Sequence, residues 1–210
     1  MQRTTEYHSE EKLNAISHGL GATLAVVGMF LLLSKNEDKT SFATFSIVVY
    51  SLSLIAMLAI SAAYHWVNDP KLKQRLRILD HINIYFLIAG TYTPVALITL
   101  EKDSGWTIFF IVWGIASFGA LFKIFYTGKL EFLSLLLYVL MGWLIVFDFD
   151  SLLENTFFRG IRLLFLGGAF YTLGIFFYAL ERIPYNHFIW HLFVLGGAMS
   201  HWLFIYSDVV

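Results

Sequence analysis

Seven apolar stretches, each long enough to cross a bilayer as a helix, occupy most of this 210-residue chain. They run over about 13–33, 42–67, 78–100, 105–126, 130–147, 160–180 and 187–206. A helix needs ~20 residues to span a hydrocarbon core of ~30 Å. The runs are too long and too evenly apolar for barrel strands, which alternate over roughly ten residues. The chain reads as an all-α integral membrane protein, one seven-transmembrane-helix domain over 1–210 with short loops. A mean hydropathy of +0.69 and 58% hydrophobic residues are far too apolar for a soluble domain of this length. Any chemistry must therefore sit within the bundle.

The charged start, Met1 to Lys12, leads into an apolar run too long for a signal-peptide core, and no A-x-A-like site precedes Ser34. The first span is expected to stay as an anchor. Lys71, Lys73, Arg75 and Arg77 cluster between spans two and three, which the positive-inside rule places in the cytoplasm. Seven spans then put Arg3, Lys12, Lys123, Lys129 and Arg182 on the same inner side. Lys35, Lys39, Lys102, Arg159 and Arg162 fall outside, so the bias is nine against five. The expected topology is N-terminus cytoplasmic and C-terminus external, and the short chain suits a bacterial inner membrane. A net charge of −1 gives no field for nucleic acid, and the basic cluster has lipid headgroups as its natural partners. The sequence shows no internal repeat and no low-complexity linker.

Ionisable groups inside spans are costly and usually face a partner or a cavity. Here several share the inner end: span two ends at Ser61 to His65, span three opens at Asp80-His81, and span seven opens at His187 to His191. His187 and His191 are four apart, so one helix face presents both imidazoles at a spacing suited to a divalent ion. His65 can supply a third nitrogen. With no cysteines in the chain, metal ligation falls to His, Asp and Glu. Three neutral imidazoles with an open fourth position match a catalytic zinc site, whereas structural zinc is normally closed by four protein ligands.

Asp80 could take a proton from a water activated by that metal, or could simply cap the helix that follows it. Ser61, one turn from His65, could hold the water or bond the Met57 carbonyl of its own helix. Glu11, Asn14, Ser17 and His18 form a polar stripe on the first span, expected to support the ligands or line a cavity. His81 points about 100° away from Asp80 and His201 lies ~15 Å deeper than His191, so neither joins the ion. His8 falls in the polar tail and receives no role. Gly90 to Pro94 should kink span three and free a carbonyl, which a bilayer tolerates only against protein or a wet pocket. Gly167-Gly168 and Gly196-Gly197 should allow close helix contact.

The stretches EKLNAISHGLG (Glu11 to Gly21), SAAYH (Ser61 to His65), LDHINIYFLIAGTYTP (Leu79 to Pro94) and HFIWHLFVLGGAMSH (His187 to His201) resemble the hemolysin III family and the related progestin and adipoQ receptors (PAQR). The likeness runs almost end to end. It implies zinc held by His65, His187 and His191, with Asp80 near the metal's water and Ser61 in support. The wider superfamily, including alkaline ceramidases, implies hydrolysis of a lipid amide or ester. The eukaryotic relatives have longer N-terminal regions and bind hormones, whereas only about a dozen residues precede the first span here, which argues against hormone reception.

The leading expectation is therefore a zinc-dependent hydrolase of a membrane lipid. The alternatives are a non-enzymatic lipid sensor or membrane-homeostasis regulator with structural zinc, a pore-forming protein of the cytolysis (hemolysin) type, and, more weakly, a proton or ion conduit marked by His18 and His201. No amphipathic insertion segment or ion-lined path speaks for cytolysis. Expected partners are membrane lipids and a lipid substrate, with no nucleic acid; assembly as a homo-oligomer is left open.

Overall fold

In lipid no water is present to bond backbone N–H and C=O groups, so apolar spans satisfy them internally as helices. The structure, a computed structural model, describes residues 2–180 and 182–210, with side chains from His8 onward. Arg3, counted above with the inner charges, lies outside the described side chains. Eight α-helices form among the described residues: α1 (Gln2–Lys35), α2 (Ala43–Trp66), α3 (Pro70–Pro94), α4 (Gly105–Tyr126), α5 (Glu131–Gly142), α6 (Phe149–Asn155), α7 (Phe158–Ala179) and α8 (Asn186–Phe204). Seven units are long and apolar enough to cross a membrane, with α5 and α6 together making the fifth.

Helix α1 shows how the sequence sorts its faces. Asn14, His18, Gly21, Ala25 and Leu32 lie three, four or seven apart and turn inward, while Leu20, Leu24, Val27 and Leu31 turn outward. The outward apolar surface, which also includes Phe125, Phe132 and Phe147, is of the chemistry that a lipid surrounding covers. Consecutive helices pack from α1 to α4 and from α7 to α8, and α1 closes against α8. By contrast α5 makes only sparse contact with α3, α4 and α7. That loose packing leaves room inside the bundle.

Three spans depart from the expected boundaries, the first because α1 already begins at Gln2 rather than near 13. Lys71 to Arg77 is not a loop but the opening of α3, because Asp69 caps the helix by accepting from the Leu72 N–H at 2.7 Å and Pro70 fits the first turn. The fifth span breaks after Gly142, passing through a 3₁₀ segment (Leu144–Asp148) into α6. Tyr92 of α3 mends the break: its hydroxyl donates to the Gly142 carbonyl at 3.0 Å and accepts from the Ile145 N–H at 2.9 Å. Pro94 ends α3 and a π-helical turn (Val95–Thr99) follows.

Between α7 and α8 small residues let the backbones approach. A Cβ at Gly197 would meet the Tyr171 ring at 2.7 Å, and one at Gly174 would meet Trp190 at 2.7 Å. Gly167 leaves the space that the His201 ring fills.

Candidate metal centre and its cavity

His65 closes the last turn of α2, while His187 and His191 occupy the first two turns of α8, one above the other as i, i+4 spacing requires. Packing brings the three together at the end of the bundle where α2 hands over to α3. Each offers a ring nitrogen within 4.8 Å of the others. Their ring centroids form a nearly equilateral triangle with sides of 5.0, 4.9 and 4.8 Å. All three sit on two helices, α2 and α8; α3 contributes no ligand.

Whether the triangle fits a metal can be judged from its nitrogens. His65 Nε2 and His191 Nδ1 are buried and have no protein partner. Leaving such atoms unsatisfied costs about 1–3 kcal/mol each, which a bridging cation would relieve. The other nitrogen of His65, Nδ1, lies 2.9 Å from Glu11 Oε1. A carboxylate behind the imidazole fixes its tautomer and raises its basicity, the usual arrangement for a metal-binding histidine. The second oxygen of Glu11 accepts from Lys73, whose ammonium also donates to the Tyr64 carbonyl at 3.1 Å and lies over the Tyr64 ring. A cluster of three histidines able to hold a metal ion is therefore built into this chain.

Asp80 and Ser61 lie beside the triangle. Because α3 begins at Pro70, Asp80 is about three turns inside the helix, which removes the reading of it as a cap. Its carboxylate lines the cavity described below, and buried Ser61 turns its hydroxyl toward it. His18 stacks face to face on His191, with centroids 3.7 Å apart and planes at 11°. Both its ring nitrogens lack a protein partner, and it too lines the cavity. Ser17 does not enter the site, since its hydroxyl donates to the Asn14 carbonyl of its own helix at 3.0 Å. Asn14 is buried with its side-chain oxygen unpaired. His81 Nδ1 bonds the Arg77 carbonyl at 2.7 Å and His201 Nε2 bonds the Leu164 carbonyl at 3.1 Å; both rings line the cavity, and neither belongs to the three-histidine group. His8 is exposed.

A cavity of about 150 Å³ opens from the triangle into the bundle between α3, α5, α7 and α8. Ser61, Asp80, His18, His187 and His191 line one end, and Ile84, Leu87, Leu135, Ile175 and Val194 line the walls. It reaches His201, and a smaller cavity of about 50 Å³ continues from there, walled by Tyr92, Trp143, Leu164 and Phe165. From His187 to His201 the run along α8 is ~20 Å.

The fold and the site together define a polytopic membrane protein with a histidine cluster able to hold a metal ion at one end of an apolar cavity. The chain belongs to the haemolysin-III related family, whose pattern it matches over residues 6–202. It is similar to Hemolysin-3 of Bacillus cereus, at 42% identity over 94% of this chain and 91% of that one. Similarity to a Hemolysin-3 homolog of Bacillus subtilis (strain 168) is 39% over 91% and 90% of the two chains. It is also similar to the monocyte to macrophage differentiation factor of Homo sapiens, at 29% over 95% of this chain and 86% of the other. That relative carries the PAQR-like side of the resemblance.

Proposed function

We propose that this protein is a zinc-dependent hydrolase of a membrane lipid amide or ester, acting at the cytoplasmic face of a bacterial inner membrane. The observation that carries the reading is the cavity: one continuous space joins His187, His191 and Asp80 to an apolar interior, with the His65 ring packed against both histidines. A water-soluble substrate has no use for such walls, whereas an acyl chain matches their chemistry. His65, His187 and His191 would hold the zinc. When bound, zinc supplies a Lewis acid that polarises a carbonyl and makes water acidic near neutral pH.

The chain's own residues supply the rest. Asp80 holds a carboxylate at the cavity wall, where it takes up a proton and returns it to the leaving group. Ser61 keeps that carboxylate oriented, and Glu11 keeps His65 in the tautomer that presents Nε2. The apolar walls exclude bulk water from everything but the reacting end. The resemblance to a wider superfamily that includes alkaline ceramidases, drawn from the sequence alone, implies the same chemistry. Lys71, Lys73, Arg75 and Arg77 stand at the same end as the histidines, which by the positive-inside rule turns the site toward the cytoplasm and the C-terminus outward.

A second reading has its own observation. The three histidines join α2 to α8, so a metal there would staple the bundle of a lipid sensor, regulator or pore without turnover. The Asp80→Asn variant separates the two. Under the first reading the purified variant keeps about one zinc per chain and loses hydrolysis of lipid amides and esters that wild type turns over. If wild type hydrolyses no such lipid while holding zinc, the staple is the better account.

A further inference from the structure

Helix α8, which carries two of the three histidines, begins without a cap of its own. Tyr185 stands at the N-cap position with φ +57° and gives no side-chain hydrogen bond, and the first turn holds no acidic residue. Helix starts leave N–H groups without intrahelical partners, and inside a membrane protein those groups need acceptors. Asn186 does not provide one, because its side-chain amide donates backward to the Phe177 and Tyr178 carbonyls at the end of α7.

The acceptor comes instead from α1. Glu10 Oε1 accepts from the His187 N–H at 3.0 Å and from the Phe188 N–H at 3.3 Å, across 177 and 178 positions of sequence. These are the second and third residues of α8, where cap acceptors act. A carboxylate there also complements the positive end of the helix dipole. The next residue, Glu11, accepts from His65 Nδ1 on α2. Successive residues on a helix diverge by ~100°, so two adjacent glutamates of α1 reach two different helices. Those are the two helices that bear the metal ligands.

We propose that Glu10 is a positioning residue for the metal centre: by capping α8 from α1 it sets where His187 and His191 stand relative to His65. This rests on the metal-site reading above. Glu10 touches no ligand side chain; it acts through the backbone of His187. The first turn of described side chains in α1 thus serves as a template on which both halves of the triangle are registered.

The test is a zinc competition titration against a chromogenic chelator, on the full chain purified in detergent, for wild type, Glu10→Ala and Glu10→Gln. Loss of the cap in Glu10→Ala should weaken zinc binding roughly tenfold. Glu10→Gln keeps a carbonyl acceptor of the same reach and should stay within about twofold of wild type. Should Glu10→Ala fail to fold, Glu10→Asp, shorter by one methylene, should show an intermediate loss. Zinc binding by Glu10→Ala at wild-type affinity overturns this inference alone. A loss in Glu10→Gln as large as in Glu10→Ala also overturns it, since charge rather than capping would then be responsible. Wild type that takes up no zinc overturns the metal-site reading and this inference together.

Discussion

The two ends of the bundle are tied together by long-range polar contacts, yet they differ in what those contacts leave over. At the end away from the histidines, Lys35 donates to the Tyr206 carbonyl and Lys39 to that of Val209, while Asp208 accepts from the Phe157 N–H. Ser104 bonds Asp148, and Asn155 bonds Asp103. These groups spend their hydrogen-bonding capacity on holding helix ends and the C-terminal turn. At the histidine end, Glu10, Glu11 and Lys73 make similar ties, but His65 Nε2, His191 Nδ1 and both nitrogens of His18 stay buried and unpaired. Native proteins rarely leave such atoms idle. The far end also leaves one hydroxyl, Thr156 Oγ1, buried and unpaired, but among the described residues the unpaired imidazole nitrogens gather at the histidine end.

The contrast can be broken by substitution. His191→Ala should have the largest effect: zinc measured by mass spectrometry should fall from about one per chain to near none, because a two-histidine remnant is a poor site. Glu11→Gln should come next. It removes the anion behind His65 and should weaken zinc binding by about 10–100-fold with the helices intact by circular dichroism. Gly167→Leu should leave the ligands untouched yet drive a side chain into the His201 ring, lowering stability by about 1–3 kcal/mol in denaturant titration. Lys35→Met, at the opposite end, should cost no more than about 1 kcal/mol and leave zinc affinity unchanged. If Lys35→Met instead impaired zinc binding as much as Glu11→Gln, the division of labour between the ends would be wrong.

Much of the site was legible because its signals are local or topological. The His187–His191 spacing needs only a helix to bring two imidazoles together. Counting spans then puts His65 at the same end, and Glu11 and His18 follow from their stripe on the first span. Boundaries were less legible. Asp69-Pro70 is a plain helix start, but hydropathy draws attention to the apolar residues further on, so Asp80 kept a capping role that the true start of α3 denies it. Gly142 marks the break in the fifth span only in hindsight, since Tyr92, 50 residues earlier, is what makes the break tolerable.

What the sequence determined alone is the seven-helix membrane class, the metal-capable histidines and the end at which they lie. Runs of apolar residues and i, i+4 spacings act through hydration and helix geometry, which need no knowledge of neighbours. Only the tertiary structure decided that His18 stacks on His191, that Ser17 turns back on its own helix, that Glu10 caps a helix 177 positions away, and that loose packing of α5 opens the cavity. Apart from the Ser17 bond, which is local to α1, each of these depends on which helix faces which and at what depth. That choice is made by packing across the whole bundle, through small residues such as Gly174 and Gly197 at the points of closest approach.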